Sequence, residues 1–347
     1  MSLPGDRVAR RQAWARSVLG DAGLSLVPAS SDASARSYWR TCGHGPSWIV
    51  MDAPPMLEDA RPWLAVNARL AAAGLHVPSV RAHDLDQGFL LIEDLGNTTY
   101  LEVLDAASVD GWYGAALAAL LRMQMAVDVH GLPPYDHAAL MRELELMPEW
   151  FLGRHLGLSP TVAERGVLET AFATLVQGAL EQPRCFVHRD YHSRNLLVPP
   201  QDGGAEAARP WYNPGIIDFQ DALHGPVTYD LVSLLRDCYI AWDRQRVEAW
   251  VEDYRQRLLG SPLAAAIPDP ARFLRWFDLM GLQRHLKVLG IFSRLHYRDG
   301  KPTYLGDLPR VYTYVVEVAG RHPELHALTN LLRSLVGTRD LRVPATP

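Results

Sequence analysis

Two short segments hold the residues whose types and spacing point to a definite chemistry. The first is Val187-His188-Arg189-Asp190-Tyr191-His192-Ser193-Arg194-Asn195-Leu196-Leu197-Val198, an H-R-D-x-x-x-x-N pattern running into an apolar strand. The second is Ile216-Ile217-Asp218-Phe219-Gln220, an apolar strand that ends in an aspartate and an aromatic. Phosphoryl transfer has a use for each part. Its barrier is set by positioning and by charge on the phosphoryl oxygens, so a protein must supply a metal clamp and an oriented acceptor hydroxyl. Asp190 is the candidate catalytic base, able to accept the hydroxyl proton and aim the oxygen. Asn195 and Asp218 are the candidate ligands of Mg²⁺, one neutral and one charged hard oxygen donor. HRD and DF strings occur by chance when taken singly. Their order, separation and flanking strands together carry the reading.

Around these segments the chain organises itself into two parts. Leu24–Val27, Arg36–Arg40, Trp48–Met51 and Phe89–Ile92 read as strands. A helical stretch from Trp63 to Leu70 closes at Gly74. The turn Ala29–Ala35 is built of small residues. From Leu101 onward the pattern is mainly helical, over Leu101–Val129, Tyr135–His155, Val162–Leu180, Tyr229–Leu259 and Ala271–Leu295. That series is interrupted between Cys185 and Asp221 by the two motif strands and a Gly-, Ala- and Pro-rich loop, Pro199–Asn213. The expected fold class is α+β, a bilobal protein-kinase-like fold with a small β-rich N-lobe over residues 1–95 and a larger helical C-lobe over residues 96–347, joined at Glu93–Gly96.

Composition narrows the function from the other side. A chain of 347 residues, 48% hydrophobic and 21% charged, is an ordinary globular protein. Its net charge of −5 and its unclustered basic residues give no electrostatic case for nucleic acid. Cys42, Cys185 and Cys238 form no CxxC pair, so neither zinc nor a disulfide framework is expected. The opening residues have no apolar stretch long enough for a signal peptide or membrane span and read as an amphipathic helix. The expectation is a cytoplasmic enzyme with a small-molecule substrate and no membrane or nucleic-acid partner.

With these motifs the chain resembles the aminoglycoside phosphotransferase superfamily of protein-kinase-like enzymes over nearly its full length. The segments Val50–Pro55, Leu91–Tyr100, Arg142–Gly157 and Ile216–Tyr239 narrow the resemblance to the anomeric N-acetylmuramate/N-acetylglucosamine kinases of peptidoglycan recycling. The resemblance implies transfer of the γ-phosphate of ATP, with Mg²⁺, to the C1 hydroxyl of a free amino sugar. It assigns Asp230 to bracing the catalytic loop and His188 to its scaffold. It places the adenine on the backbone of Glu93 and Leu95. The alternatives are a kinase of the same fold with an aminoglycoside, homoserine or choline-like acceptor, and an inactive nucleotide-binding module.

One departure stands out. Protein kinases carry a lysine on the third strand that meets the phosphates, whereas here that position falls on Met51 or Asp52. The only lysines of the chain are Lys287 and Lys301. Arg36, with Arg40 behind it, is the candidate replacement, because a guanidinium fork suits phosphate. Ser34 is a candidate hydroxyl donor in the turn before it. Asp52 itself reads as a surface strand end. Gln220 in place of the usual glycine argues against a switchable activation loop. For the sugar, the candidates are Glu143, Glu145, His192, Asp221 and Arg236, together with Arg284 and His285. Trp150 and Tyr239 are candidate stacking partners.

Overall fold

The computed structural model describes residues 4–31, 35–43, 45–198 and 214–344. It divides into two compact units, Met1–Met123 with Arg194–Asp221, and Gln124–Ser193 with Ala222–Pro347. Residues 1–95, expected as one lobe, lie wholly in the first unit. That unit runs on past the expected boundary and takes in the segment carrying Asn195 and Asp218.

In the first unit a helix α1 (Pro4–Leu19) precedes strands β1 (Ser25–Ser31), β2 (Ser37–Cys42) and β3 (Trp48–Asp52), helix α2 (Arg61–Ala72), and strands β4 (Val80–Asp84) and β5 (Phe89–Glu93). The five strands form one antiparallel sheet in the order β1-β2-β3-β5-β4. Successive side chains point to opposite faces. Val50 and Leu91 therefore share a face, and there they pack with Ala15 of α1 and with Leu24. Asp52 lies two residues beyond Val50 on that same face.

Contrary to the reading of a surface strand end, Asp52 is only 3% exposed. Arg7 reaches it at 2.8 Å through Nε, and Arg11 at 2.8 Å through Nη1. The two arginines are one helical turn apart on α1, so both present their forks to one carboxylate. Arg11 also stacks on the Trp39 ring at 3.6 Å, and Arg7 lies 4.8 Å from the Phe89 ring centroid. At the β4–β5 turn Gly88 has φ +72°, and a Cβ there would stand 1.9 Å from the Ala53 carbonyl oxygen. No other residue allows β3 to leave the sheet so close to this turn.

Helices α3 (Tyr100–Val103) and α4 (Val109–Ala126) follow. The remainder of the first unit is a two-stranded ladder of β7 (Leu196–Leu197) and β8 (Gly215–Ile216), paired Leu196 to Ile216. The ladder is tied to the chain before α3 by the Val198 N–H donating to the Thr98 carbonyl at 2.9 Å.

The second unit is helical. It contains α5 (His137–Leu144), a π-helical segment Met147–His155, α6 (Val162–Leu180), and a ladder of β6 (Arg184–Val187) with β9 (Leu223–Pro226). Next come α7 (Tyr229–Leu235), α8 (Arg244–Leu259), α9 (Pro270–Tyr297), α10 (Leu308–Ala319) and α11 (His326–Val336). The 28-residue α9 is buried without a break from Trp276 to Gly290. Gly290 lets it approach the π-helical segment, since a Cβ there would lie 2.4 Å from Leu146 backbone atoms.

Among the described residues no helix is long and apolar enough to cross a membrane. The broad helical expectations hold, with breaks that the periodicity did not reveal. Leu101–Val129 is two helices, Tyr229–Leu259 is interrupted after Leu235, and Tyr135–His155 passes from α into π geometry. Strand β4 and helices α10 and α11 had no counterpart in the sequence reading.

Candidate active site

In the first unit, the ladder β7–β8 places Asn195 just before one strand and Asp218 just after the other. The Ile217 N–H donates to the Asn195 carbonyl at 3.2 Å, and the Asn195 amide donates to Asp218 Oδ2 at 3.3 Å. Asp218 adopts φ +64°, a left-handed conformation costly for a non-glycine residue. Phe219 beside it is fully buried and packs on Trp63 of α2, with ring centroids 5.1 Å apart. The buried aromatic fixes the turn and leaves the carboxylate half-buried. Gln220 donates to Asp218 Oδ1 at 2.9 Å, so the residue replacing glycine holds the carboxylate's orientation.

Arg36 is buried, with Nη2 3.7 Å from Asp218 Oδ1 and Nη1 3.9 Å from Glu58. Arg40 is committed elsewhere, its fork set bidentately on Asp94 at 2.6 and 2.9 Å. Arg36 is thus the arginine that stands beside the candidate metal ligand. Ser34 lies outside the described residues. Glu93 ends β5 and accepts a hydrogen bond from the Ser79 N–H at 3.1 Å. The neighbouring His76 chiefly holds its carboxyl below the ordinary glutamate value. Leu95 is buried, and a Cβ on Gly215 would lie 3.1 Å from its side chain.

Asn195 and Asp218 suit Mg²⁺. They are hard oxygen donors, adjacent, on a turn fixed by packing. Among the described residues no group of three or more His, Cys, Asp or Glu could hold a metal unaided.

In the second unit, two acids bracket the catalytic loop, Asp230 within α7 and Asp237 just past its end. Asp230, fully buried, accepts the His188 N–H at 2.7 Å and the Arg189 N–H at 3.0 Å, one on each carboxylate oxygen. This grip holds Arg189 at φ +79°. Burial pushes the Asp230 pKa up to about 7; the two amides oppose it and the charge of Asp190 adds to it. Asp237, seven residues on and also buried, accepts the Ser193 N–H at 3.0 Å and the Ser193 hydroxyl. The helix ends at Leu235, and Arg236 leaves helical geometry before Asp237. Asp237 escaped the sequence reading. Its signal was an acid that follows the largely apolar run Leu231–Leu235.

Asp190 sits between these brackets. Its N–H donates to His188 Nδ1 at 3.3 Å, which gives His188 a scaffold position. Burial works to raise the Asp190 pKa, but Lys287, His192, Arg284 and Arg189 together hold it below the ordinary aspartate value.

Behind the loop lies a buried ionic cluster centred on Glu143 of α5. Its carboxylate receives Arg189 at 2.6 Å, Lys287 at 3.2 Å, Gln283 at 3.3 Å and the Tyr135 hydroxyl. Lys287 also donates to the Tyr229 hydroxyl at 2.9 Å. With four protein donors on its two oxygens, Glu143 anchors the loop, and a sugar could reach it only by breaking a buried ion pair.

The other sugar candidates separate. His192 stacks edge-on against Tyr239 at 5.3 Å, and Tyr239 continues to Phe292 at 6.4 Å. Arg236 is engaged toward α10, over Tyr314 at 5.0 Å and 3.9 Å from Glu317. Glu145 is exposed at the end of α5 and Asp221 is exposed in its turn. Neither makes a hydrogen bond or ion pair with the residues around Asp190 among the described residues.

Residues 25–274 match the sequence profile of the phosphotransferase enzyme family. An N-acetylmuramate/N-acetylglucosamine kinase of Pseudomonas aeruginosa is 50% identical over 313 residues, 89% of this chain and 88% of that one. A kinase of the same name from Pseudomonas putida is 47% identical over 329 residues, 94% of this chain and 91% of that one. Among solved structures, a choline/ethanolamine kinase family protein from Mesorhizobium loti superposes with a TM-score of 0.60 at 12% identity, covering 94% of this chain and 99% of its own. An ADP-bound aminoglycoside phosphotransferase gives 0.55 at 13% identity, covering 89% and 98%. At such identities the structural likeness is one of fold.

Proposed function

This chain belongs to the phosphotransferase enzyme family, in the branch of the N-acetylmuramate/N-acetylglucosamine kinases, and from that premise we propose that it transfers the γ-phosphoryl group of ATP to the anomeric C1 hydroxyl of N-acetylmuramate and N-acetylglucosamine. The observation that carries this reading is the coverage of kinases named for both sugars at 47% and 50% identity over nearly the whole chain. The α-1-phosphate product would feed nucleotide-sugar synthesis during cell-wall recycling in the cytoplasm.

Asp190 acts as the base. Its carboxylate accepts a hydrogen bond from the C1 hydroxyl and takes the proton as that oxygen bonds to the γ-phosphorus and the bond to the ADP oxygen breaks. A base held below the ordinary aspartate value stays ionised at neutral pH. It serves by orienting the hydroxyl, which suits a loose transition state in which little proton abstraction is needed early. Asp230 and Asp237 position the loop from behind.

Asn195 and Asp218 would hold Mg²⁺ with the nucleotide. When bound, the ion offsets charge on the phosphate oxygens. Arg36 takes the place of the absent lysine, its fork meeting a phosphate beside Asp218. The backbone of Glu93 and Leu95 receives the adenine.

ADP release with Mg-ATP against a panel of free sugars, amino alcohols and an aminoglycoside tests this reading, with phosphorus NMR of the product. The expected result is a C1-phosphate on the two N-acetyl sugars. Phosphate on another acceptor would overturn the sugar assignment and keep the mechanism.

A further inference from the structure

Buried arginines in this chain usually meet a carboxylate. Arg11 pairs with Asp52 at 2.8 Å, Arg255 with Glu252 at 2.8 Å, and Arg36 stands 3.7 Å from Asp218. Arg284 of α9 does not. It is 3% exposed and makes no ion pair among the described residues. Its one hydrogen bond is to the Cys238 sulfur at 3.5 Å, and its Nε is buried with no hydrogen-bond partner in the protein. A sulfur is a weak acceptor, and a guanidinium withdrawn from water without strong acceptors is expensive.

Nor is Arg284 remote from the chemistry. It is one of the cations acting on Asp190, one residue from Gln283 and three from Lys287, which both grip Glu143 under the catalytic loop. Beside the loop, the half-buried rings of His192 and Tyr239 form an aromatic wall backed by the buried Phe292. This wall is of the kind that covers a sugar face.

We infer that Arg284 is the carboxylate-reading residue of the acceptor site, its guanidinium receiving the lactyl carboxylate of N-acetylmuramate. The inference rests on the acceptor proposed above. With the C1 hydroxyl on Asp190, the lactyl ether on C3 is two ring bonds away, so its carboxylate falls within the same small region as Asp190. Arg236 does not compete for the role, because its ring and carboxylate neighbours lie on α10. N-acetylglucosamine, which has no carboxylate, leaves this contact unused. One site then accepts both sugars while distinguishing them by charge.

The test compares N-acetylmuramate, its methyl ester and N-acetylglucosamine on wild type, Arg284→Gln and Arg284→Lys. In wild type the ester should be about 10- to 100-fold worse in kcat/KM than the acid, the range for one charge-assisted hydrogen-bond pair. In Arg284→Gln the acid-to-ester ratio should collapse toward one, and in Arg284→Lys it should fall between. The ratio cancels any general loss from altered charge at Asp190. Equal turnover of acid and ester by wild type would overturn the inference even if neither variant folds. Undiminished discrimination in Arg284→Gln would overturn it as well, placing the reader elsewhere. Turnover of none of the three by wild type would defeat the proposed acceptor itself, a separate outcome.

Discussion

Asp52 and Glu143 are both buried acids gripped by cations, and they do different work. Asp52 is held by Arg7 and Arg11, two residues of one helix face, and the result is a local clasp of α1 onto the sheet. Glu143 gathers Tyr135, Arg189 and the α9 residues Gln283 and Lys287 from three separated stretches of chain. Two of those partners also act on Asp190. An acid closed off by its near neighbours is scaffold. An acid whose partners extend to the catalytic loop sets the charge in which the chemistry takes place. Asp52, one of the two positions where the kinase lysine would fall, is thus a fastening point, while Lys287 and Arg284 of α9 act on Asp190 and Arg36 stands beside Asp218.

Substitutions can break or sharpen that contrast. The largest effect is expected for Asp190→Asn, which should lower kcat by about 10³-fold with nucleotide affinity near normal. Near wild-type turnover would remove the base from the scheme. Glu143→Gln strips the buried cations of their partner and should destabilise the fold by about 3–5 kcal/mol in denaturant titrations. It should also reduce kcat in the surviving folded enzyme. A loss of stability with unchanged kcat would place Glu143 in the same class as Asp52.

Asp52→Asn should destabilise by about 2–3 kcal/mol by leaving Arg11 buried and unpaired. Its kcat and both KM values should match wild type, and a raised KM for ATP would contradict the clasp. Arg36→Ala should raise the KM for ATP by about tenfold, equivalent to roughly 1.4 kcal/mol, and more than that for sugar. Equal effects on both would move the phosphate contact away from Arg36.

The smallest effect concerns pH. With its pKa raised to about 7, Asp230 takes up a proton as pH falls through neutrality, and its grip on the His188 and Arg189 amides weakens. Turnover should decline several-fold from pH 8 to pH 6, about what loss of one good hydrogen bond allows. A flat profile would mean that the brace stays ionised.

The contrast also marks what was legible in the sequence. Asp190, Asn195 and Asp218 could be read as candidates because phosphoryl transfer demands those types in a fixed order, and the strands beside them show as short apolar runs. The β-rich and helical parts followed from the switch between strand and helix periodicity, and the kinase-like fold from the motifs and the resemblance they carry. Glu143 was visible as an acid but not as an ionic centre, because its partners lie up to 144 positions away, at Lys287. Asp52 was misread for a related reason. Arg7 and Arg11 carry the helical spacing that would have exposed the pairing, yet nothing local ties α1 to β3. The α-to-π transition after Leu146 rests on packing against Gly290, another distant contact.

The division of the chain has a consequence for its birth on the ribosome. The five-stranded sheet is complete by Glu93, but the ladder that positions Asp218 belongs to the same unit and is encoded 125 residues later, after 70 residues of the other unit. At roughly 5–20 residues per second, Asp218 follows Glu93 by on the order of ten seconds. A nascent sheet must therefore persist through that interval without the Asp218 turn, and nothing bound through Asp218 could stabilise this unit until the interval ends.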